Sequence, residues 1–187
     1  SDPVALQQLG AACAAITTEF ENVPAASLIE LARHCRVSPD AAAVAIVQDR
    51  RNEKSWLADQ GFATAPFAII ENEADLAAAL AATGTPALLK VSRFGYDGKG
   101  QARVSTLDEA HAAFSAFGSQ PCVLEGFVKL ECEVSVVLAR SEECVEARLH
   151  LSKAGIRQSF TTRNRIEPGR VRMELVEGPF ESFEGTW

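Results

Sequence analysis

No stretch of this sequence is apolar for long enough to cross a membrane, and no secretory leader is legible at its start. The first residues are Ser-Asp-Pro without a Met, as expected of a sequence that begins in mid-protein. Cysteine offers no framework. The five residues, Cys13, Cys35, Cys122, Cys132 and Cys144, are odd in number and contain no C-x-x-C pair. Neither a disulfide scaffold nor a zinc site is signalled, and small thiols in a reducing cytoplasm are expected. The three histidines, His34, His111 and His150, are scattered without metal-ligand spacing. A basic excess is also missing. Lys and Arg number 18 against 25 Asp and Glu, a net charge of -7. That balance speaks against nonspecific binding to nucleic acid or to anionic membranes, and it leaves room for a local basic pocket for phosphates.

What is present suits a globular protein. With 187 residues and 47% hydrophobic content, the chain can build one compact domain or parts of two. The most informative stretch is K-V-S-R-F-G-Y-D-G-K-G-Q, Lys90 to Gln101. It follows the apolar run Pro86-Ala87-Leu88-Leu89, which reads as a buried strand ending on a lysine. Glycines let backbone N–H groups approach an anion, and lysines neutralise its charge. The loop fits neither the G-x-G-x-x-G fingerprint nor the G-x-x-x-x-G-K-[ST] pattern, so another kind of nucleotide site is indicated. A plain hairpin turn at Asp97-Gly98 is the alternative for this loop taken alone.

Along the chain, Val4 to Cys13 reads as a helix, 14–17 as a short strand and Ala25 to Cys35 as a helix opened by Pro24. Val37 to Val47 reads as a connection. Asp49 predicts an N-cap for a helix from Arg50 to about Gln60, closed by Gly61, with Trp56 and Leu57 facing inward. An edge strand within 65–70, an alanine-rich helix after Asn72, and strands over 87–91 and 102–104 follow. Thr106-Leu107-Asp108-Glu109 predicts a capping box, and strands are expected at 122–124 and 132–139. Strand, loop and helix alternate in the manner of α/β folds. From about Ser141 the texture changes to clustered Arg with Gly and Pro, and Asp is absent.

Four motifs fall in order: T-T-E-F-E-N-V-P-A (Thr17 to Ala25), D-R-R-N-E-K (Asp49 to Lys54), Lys90 to Gln101, and L-E-G-F-V-K-L-E-C-E-V-S-V (Leu124 to Val136). On these the chain resembles the ATP-grasp family, and within it the branch that makes 5-(carboxyamino)imidazole ribonucleotide. The resemblance covers about 1–140. It implies an α/β and α+β fold: 1–48 as the rear part of a Rossmann-like pre-ATP-grasp domain, then an incomplete ATP-grasp domain over 49–140, comprising its first subdomain and the start of the second. Residues 141–187 form a tail without the family pattern.

The resemblance also implies roles. Arg50 and Lys90 would contact ATP phosphates, under a lid of Gly95, Tyr96, Asp97, Gly98, Lys99, Gly100 and Gln101. Glu125, Gly126, Phe127 and Val128 would be the adenine hinge, and Glu133 would accept from the ribose hydroxyls. Taken singly, each has a plainer reading: a solvated Arg50, a snorkelling Lys90, surface carboxylates at Glu125 and Glu133, core packing at Phe127 and Val128. Their joint order and spacing favour the site.

The implied reaction is ATP-dependent carboxylation of 5-aminoimidazole ribonucleotide with bicarbonate in purine biosynthesis, by a cytoplasmic homodimer. No catalytic residue is assigned. Mg²⁺ is implied, with its ligands expected outside this sequence, as are the front of the Rossmann-like domain and a small C-terminal domain. A truncated ATP-binding fragment without ligase activity is the alternative. One account of the tail is a slipped reading frame near 141–148, which would leave residues after about 148 without evolved structure.

Overall fold

The computed structural model describes residues 2–20, 22–95, 100–140, 144–153, 155–168, 170–181 and 184–186. The chain divides into two units, 1–128 and 129–187.

The first unit opens with α1 (Pro3–Ala12), capped by Asp2, whose carboxylate accepts from the Val4 N–H at 2.9 Å. Then come β1 (Ala15–Ile16), α2 (Ala25–Leu31) and β2 (Arg36–Val37), and the two strands pair in parallel around the helix. The segment expected as a connection instead contains α3 (Ala41–Val47). The Asp40 carboxylate caps it through the Ala42 N–H at 2.8 Å, and Ala41 and Val44, three residues apart, face one core with Leu28 and Leu31.

Asp49 starts α4 (Arg50–Asp59), accepting from the Arg51 N–H at 3.0 Å, and Gly61 ends it with φ 78°. The expected inward stripe is corrected here. Trp56 is 43% exposed and stacks on Phe62, and no residue of α4 is fully buried. The inner side of α4 is charged because it borders the site described below.

The remaining elements of this unit are β3 (Phe67–Ile70), α5 (Asp75–Thr83), β4 (Ala87–Val91), β5 (Gln101–Val104), α6 (Leu107–Ala116) and β6 (Cys122–Gly126). Thr106 caps α6 through the Glu109 N–H, and the Glu109 carboxylate reaches back to the Ser105 N–H at 2.6 Å. The strands form an antiparallel sheet in the order β3-β6-β4-β5, with β3 at an edge. Side chains alternate between its faces. Ala87, Leu89, Val91, Val104, Cys122, Leu124 and Ile70 point to one face and form a closed core with Leu76, Leu80, Ala110 and Phe114 of α5 and α6. The other face carries Phe67, Leu88, Lys90, Arg103, Val123 and Glu125, and α4 lies against β6 on it.

The second unit is a five-stranded antiparallel sheet of β7 (Glu133–Arg140), β8 (Cys144–Lys153), β9 (Ile156–Glu167), β10 (Arg170–Glu177) and β11 (Glu184–Thr186), in chain order. Among its described residues only Ala147 and Thr162 are fully buried.

Candidate functional site

The register of β4 on β6 sets the centre of the site. Lys90 faces Val123 and Leu88 faces Glu125, so Lys90 and Glu125 are diagonal neighbours on one face. The Lys90 ammonium donates to the Glu125 carboxylate at 3.0 Å, and the Lys54 ammonium of α4 lies 3.3 Å from the same oxygen. Glu125 is only 7% exposed. A buried carboxylate is tolerable when it is paired and hydrogen-bonded, and here it holds two ammonium groups side by side on the sheet face. Lys54 also approaches the Phe67 ring at 6.0 Å. Sequence reasoning passed over Lys54, although it stands four residues after Arg50 on one helix and therefore shares its face.

A second charged group fixes the start of α4. Asp49, 3% exposed, accepts from the Arg51 guanidinium at 3.0 and 2.7 Å, and Arg51 also spans to Glu71 at 2.8 and 2.9 Å. Burial works to raise the Asp49 carboxyl, but the hydrogen bonds and charge of Arg51, with the charge of Arg93 behind them, outweigh it and hold Asp49 below the usual carboxylate range. The hydrogen bond to Asp49 raises the Arg51 guanidinium in turn. With that corner fixed, the Arg50 N–H donates to the Ser92 carbonyl at 2.9 Å, and its guanidinium reaches the Gly95 carbonyl at 3.4 Å.

The glycine-rich loop leaves the sheet between these groups. Gly95 and Gly100 bound it, and Gln101 starts β5; Tyr96, Asp97, Gly98 and Lys99 lie outside the described residues. The Gly100 carbonyl accepts from the Val91 N–H at 2.8 Å, with φ 77° at Gly100, and a Cβ there would stand 2.6 Å from Val91 Cγ2. Only glycine fits.

At the other end of the face, β6 runs into Phe127 and Val128, 44% and 49% exposed. The Gly126 N–H donates to the Pro66 carbonyl at 2.8 Å and the Phe127 N–H to the Pro86 carbonyl at 3.0 Å. Two amides of this segment are thus occupied by the protein, and the Val128 N–H has no backbone partner among the described residues. The Arg103 guanidinium covers the Phe127 ring at 4.5 Å. Sequence analysis missed this pair because it depends on β5 lying two strands from β6. Glu133 falls on β7 in the second unit, and its side chain lies outside the described residues.

The structure therefore brings together Arg50 with Gly95, and Lys90 with Glu125 and Lys54, on one unit. Among the described residues no group of three or more His, Cys, Asp and Glu is arranged to hold a metal ion, and Asp49, Glu71 and Glu125 are all engaged by Arg or Lys. No helix among them is long and apolar enough to cross a membrane.

Two family models match the chain, a ribonucleotide synthetase preATP-grasp domain over residues 1–48 and an ATP-grasp domain over residues 55–160. The N5-carboxyaminoimidazole ribonucleotide synthase of Brucella melitensis is 50% identical over 141 residues, which is 74% of this chain and 39% of that protein. The chain thus spans about two fifths of the length of the curated relatives it matches. Among solved structures, carboxyaminoimidazole ribonucleotide synthase from Aspergillus clavatus complexed with ATP superposes with a TM-score of 0.72 at 26% identity, over 91% of this chain and 43% of that one. N5-carboxyaminoimidazole ribonucleotide synthetase from Thermus thermophilus gives 0.67 at 32% identity, over 91% and 44%.

Proposed function

Because the chain belongs to the ATP-grasp family, we propose that the charged face of the sheet in its first unit binds ATP. On this reading the chain is part of a ligase that carboxylates 5-aminoimidazole ribonucleotide with bicarbonate. The observation that carries the reading is the pairing of Lys90 and Lys54 on one buried Glu125. An ammonium that merely snorkels is not held by a carboxylate that is 9% exposed in its side chain. With Glu125 behind them, both lysines are fixed before any phosphate arrives, so little ordering is left to offset on binding. Arg50 supplies a further cation at the foot of the glycine-rich loop. Adenine pairs with the Val128 N–H and the carbonyls beside it, since the Gly126 and Phe127 amides are taken, and Phe127 gives an apolar wall. Glu133 receives the ribose.

In the full reaction ATP transfers its γ-phosphoryl group to bicarbonate, giving carboxyphosphate and ADP, and the amine of 5-aminoimidazole ribonucleotide captures the activated carboxyl as phosphate leaves and the amine loses a proton. The residues here position phosphates and neutralise charge, the main task of a protein in phosphoryl transfer. Mg²⁺ and ligands for it outside this sequence are what the family resemblance implies; among the described residues no group of three or more His, Cys, Asp and Glu is arranged to hold a metal ion. The intact enzyme is expected to work as a cytoplasmic homodimer, on the strength of the family resemblance.

The engaged carboxylates favour a second reading, ATP binding without ligation by this polypeptide. Nucleotide titration and product analysis separate the two. ATP binding together with ADP release that requires both bicarbonate and 5-aminoimidazole ribonucleotide supports the ligase. ATP binding without such release supports the second reading. Absence of ATP binding by the folded chain contradicts both.

A further inference from the structure

Arg103 stands apart among the cations on the charged face of the first sheet. Lys54 and Lys90 are held by Glu125, whereas Arg103 forms no ion pair among the described residues. It is exposed to solvent, yet its guanidinium lies over the Phe127 ring, 4.5 Å from the centroid. The other cation–ring contacts among the described residues are longer, 6.0 Å for Lys54 on Phe67 and 5.6 Å for Arg93 on Phe94. Arg93 and Phe94 are chain neighbours. Arg103 and Phe127 meet only because three strands carry them: Arg103 of β5 is opposite Leu88 of β4, which is opposite Glu125 of β6, two residues before Phe127.

The backbone at Phe127 is already fixed, since the Gly126 and Phe127 amides donate to the Pro66 and Pro86 carbonyls. What freedom remains to the ring is rotation about its side-chain torsions. A planar guanidinium stacked on the ring restricts that rotation. The ring is still 44% exposed, so it has surface left to meet a second flat group. The register also sets Arg103 apart from the proposed phosphate end of the face. Lys90 lies two residues along β4 from Leu88, about 7 Å away, and Phe127 lies on the other side of the Arg103–Leu88–Glu125 row. The guanidinium turns to the Phe127 side.

We propose that Arg103 is a positioning residue for the nucleotide base: it holds the Phe127 ring in the orientation in which the ring meets adenine, and it touches no phosphate. The inference rests on the proposed function and adds to it a residue of β5, a strand that does not border the hinge. Arg103 acts through Phe127, so its contribution exists only while the ring is there.

The test is a double-mutant cycle on the whole chain, read by calorimetric titration of ATP into the parent, Arg103→Ala, Phe127→Leu and the combined variant. Both side chains are exposed, so the variants are expected to keep the fold, and melting curves check it. Arg103→Ala is expected to weaken ATP binding at least about threefold, the scale of an exposed cation–ring contact. Phe127→Leu keeps an apolar side chain and removes the ring. Adding Arg103→Ala to it is expected to weaken binding no further. Tripolyphosphate, which carries the charges without the base, is expected to bind the parent and Arg103→Ala alike. Three results overturn the proposal while sparing the proposed function: Arg103→Ala binds ATP as the parent does, the two single losses simply multiply, or tripolyphosphate binding falls as far as ATP binding. A folded parent chain that binds no ATP defeats the proposed function, and this inference with it.

Discussion

The four-stranded sheet of the first unit and the five-stranded sheet of the second share an antiparallel hydrogen-bond pattern and differ in what covers them. In the first, Ala87, Leu89, Cys122 and Leu124 are fully buried by α5 and α6, and the opposite face is reserved for Lys90, Glu125 and Arg103. In the second, Val136, Val137 and Leu138 are 51%, 60% and 63% exposed. Consecutive strand residues point to opposite faces, so β7 is covered on neither. Ladder hydrogen bonds satisfy the backbone in both sheets, but only burial of apolar area adds the main favourable contribution to folding. The first sheet has a core on one side and can hold charged chemistry on the other. The second has a ladder and surface pairs such as Arg163–Glu146 at 2.7 Å, of a kind that contributes little.

Truncation at matched positions is the sharpest way to break this contrast. Leu89→Ala, at a fully buried position of β4, is expected to lower unfolding free energy by about 2–5 kcal/mol, as for other large-to-small core changes. Val137→Ala on β7 is expected to change it by no more than about 0.5 kcal/mol. Urea unfolding of the two variants decides, and equal losses would show that the second sheet has a core too.

Next in size is Gly126→Ala at the end of β6. Its Cβ would stand 2.8 Å from the Thr83 carbonyl, a backbone atom that cannot step aside cheaply, so a loss of about 1–3 kcal/mol is expected. A melting curve that overlays the parent's would contradict this close packing at the end of β6.

Asp49→Asn keeps a side chain able to cap α4 and removes the charge opposite Arg51. A loss of about 1–3 kcal/mol is expected near neutrality, the range for hydrogen bonds to charged groups. Because the folded state holds the Asp49 carboxyl low, its contribution is present above the ordinary carboxylate value of about 3.9 and is lost as pH falls through the lower folded value. The gap between parent and variant should therefore close in acid, and a gap independent of pH would dismiss the ion pair as its cause.

The smallest effect concerns thiols. Cys122 is buried on the first sheet, its thiol pushed up to about 11 by burial, whereas Cys132 is exposed at the start of the second unit. Maleimide at neutral pH should label Cys132 in the native protein and reach Cys122 only on unfolding. Early labelling of Cys122, mapped by peptide mass, would mean that the first sheet opens readily.

Much of the first unit is legible in the sequence. Asp49 and Gly61 bracket α4, and the apolar run into Lys90 sets β4 with its cation at the strand end, because capping and alternation are local rules. The glycine-rich loop announced itself by composition. The role of Glu125 as the anion between Lys54 and Lys90 was not legible, since it depends on the register of β6 against β4 and on α4 crossing that face. Trp56 misled because a large aromatic normally marks the inner face of a helix, whereas the inner face of α4 carries the site's charges. The short α3 was missed because its alanine and valine run has no polar face, leaving Asp40 as its only strong signal. Tyr96 to Lys99 lie outside the described residues, and their part in a lid stays with the proposal.

The central claim is that the charged face of the first sheet is an ATP site organised by Lys90. Calorimetric titration of ATP into the parent chain and into Lys90→Ala tests it most directly. We predict saturable binding by the parent and at least tenfold weaker binding by the variant, about 1.4 kcal/mol or more. Equal affinity of the two folded proteins for ATP would contradict the account.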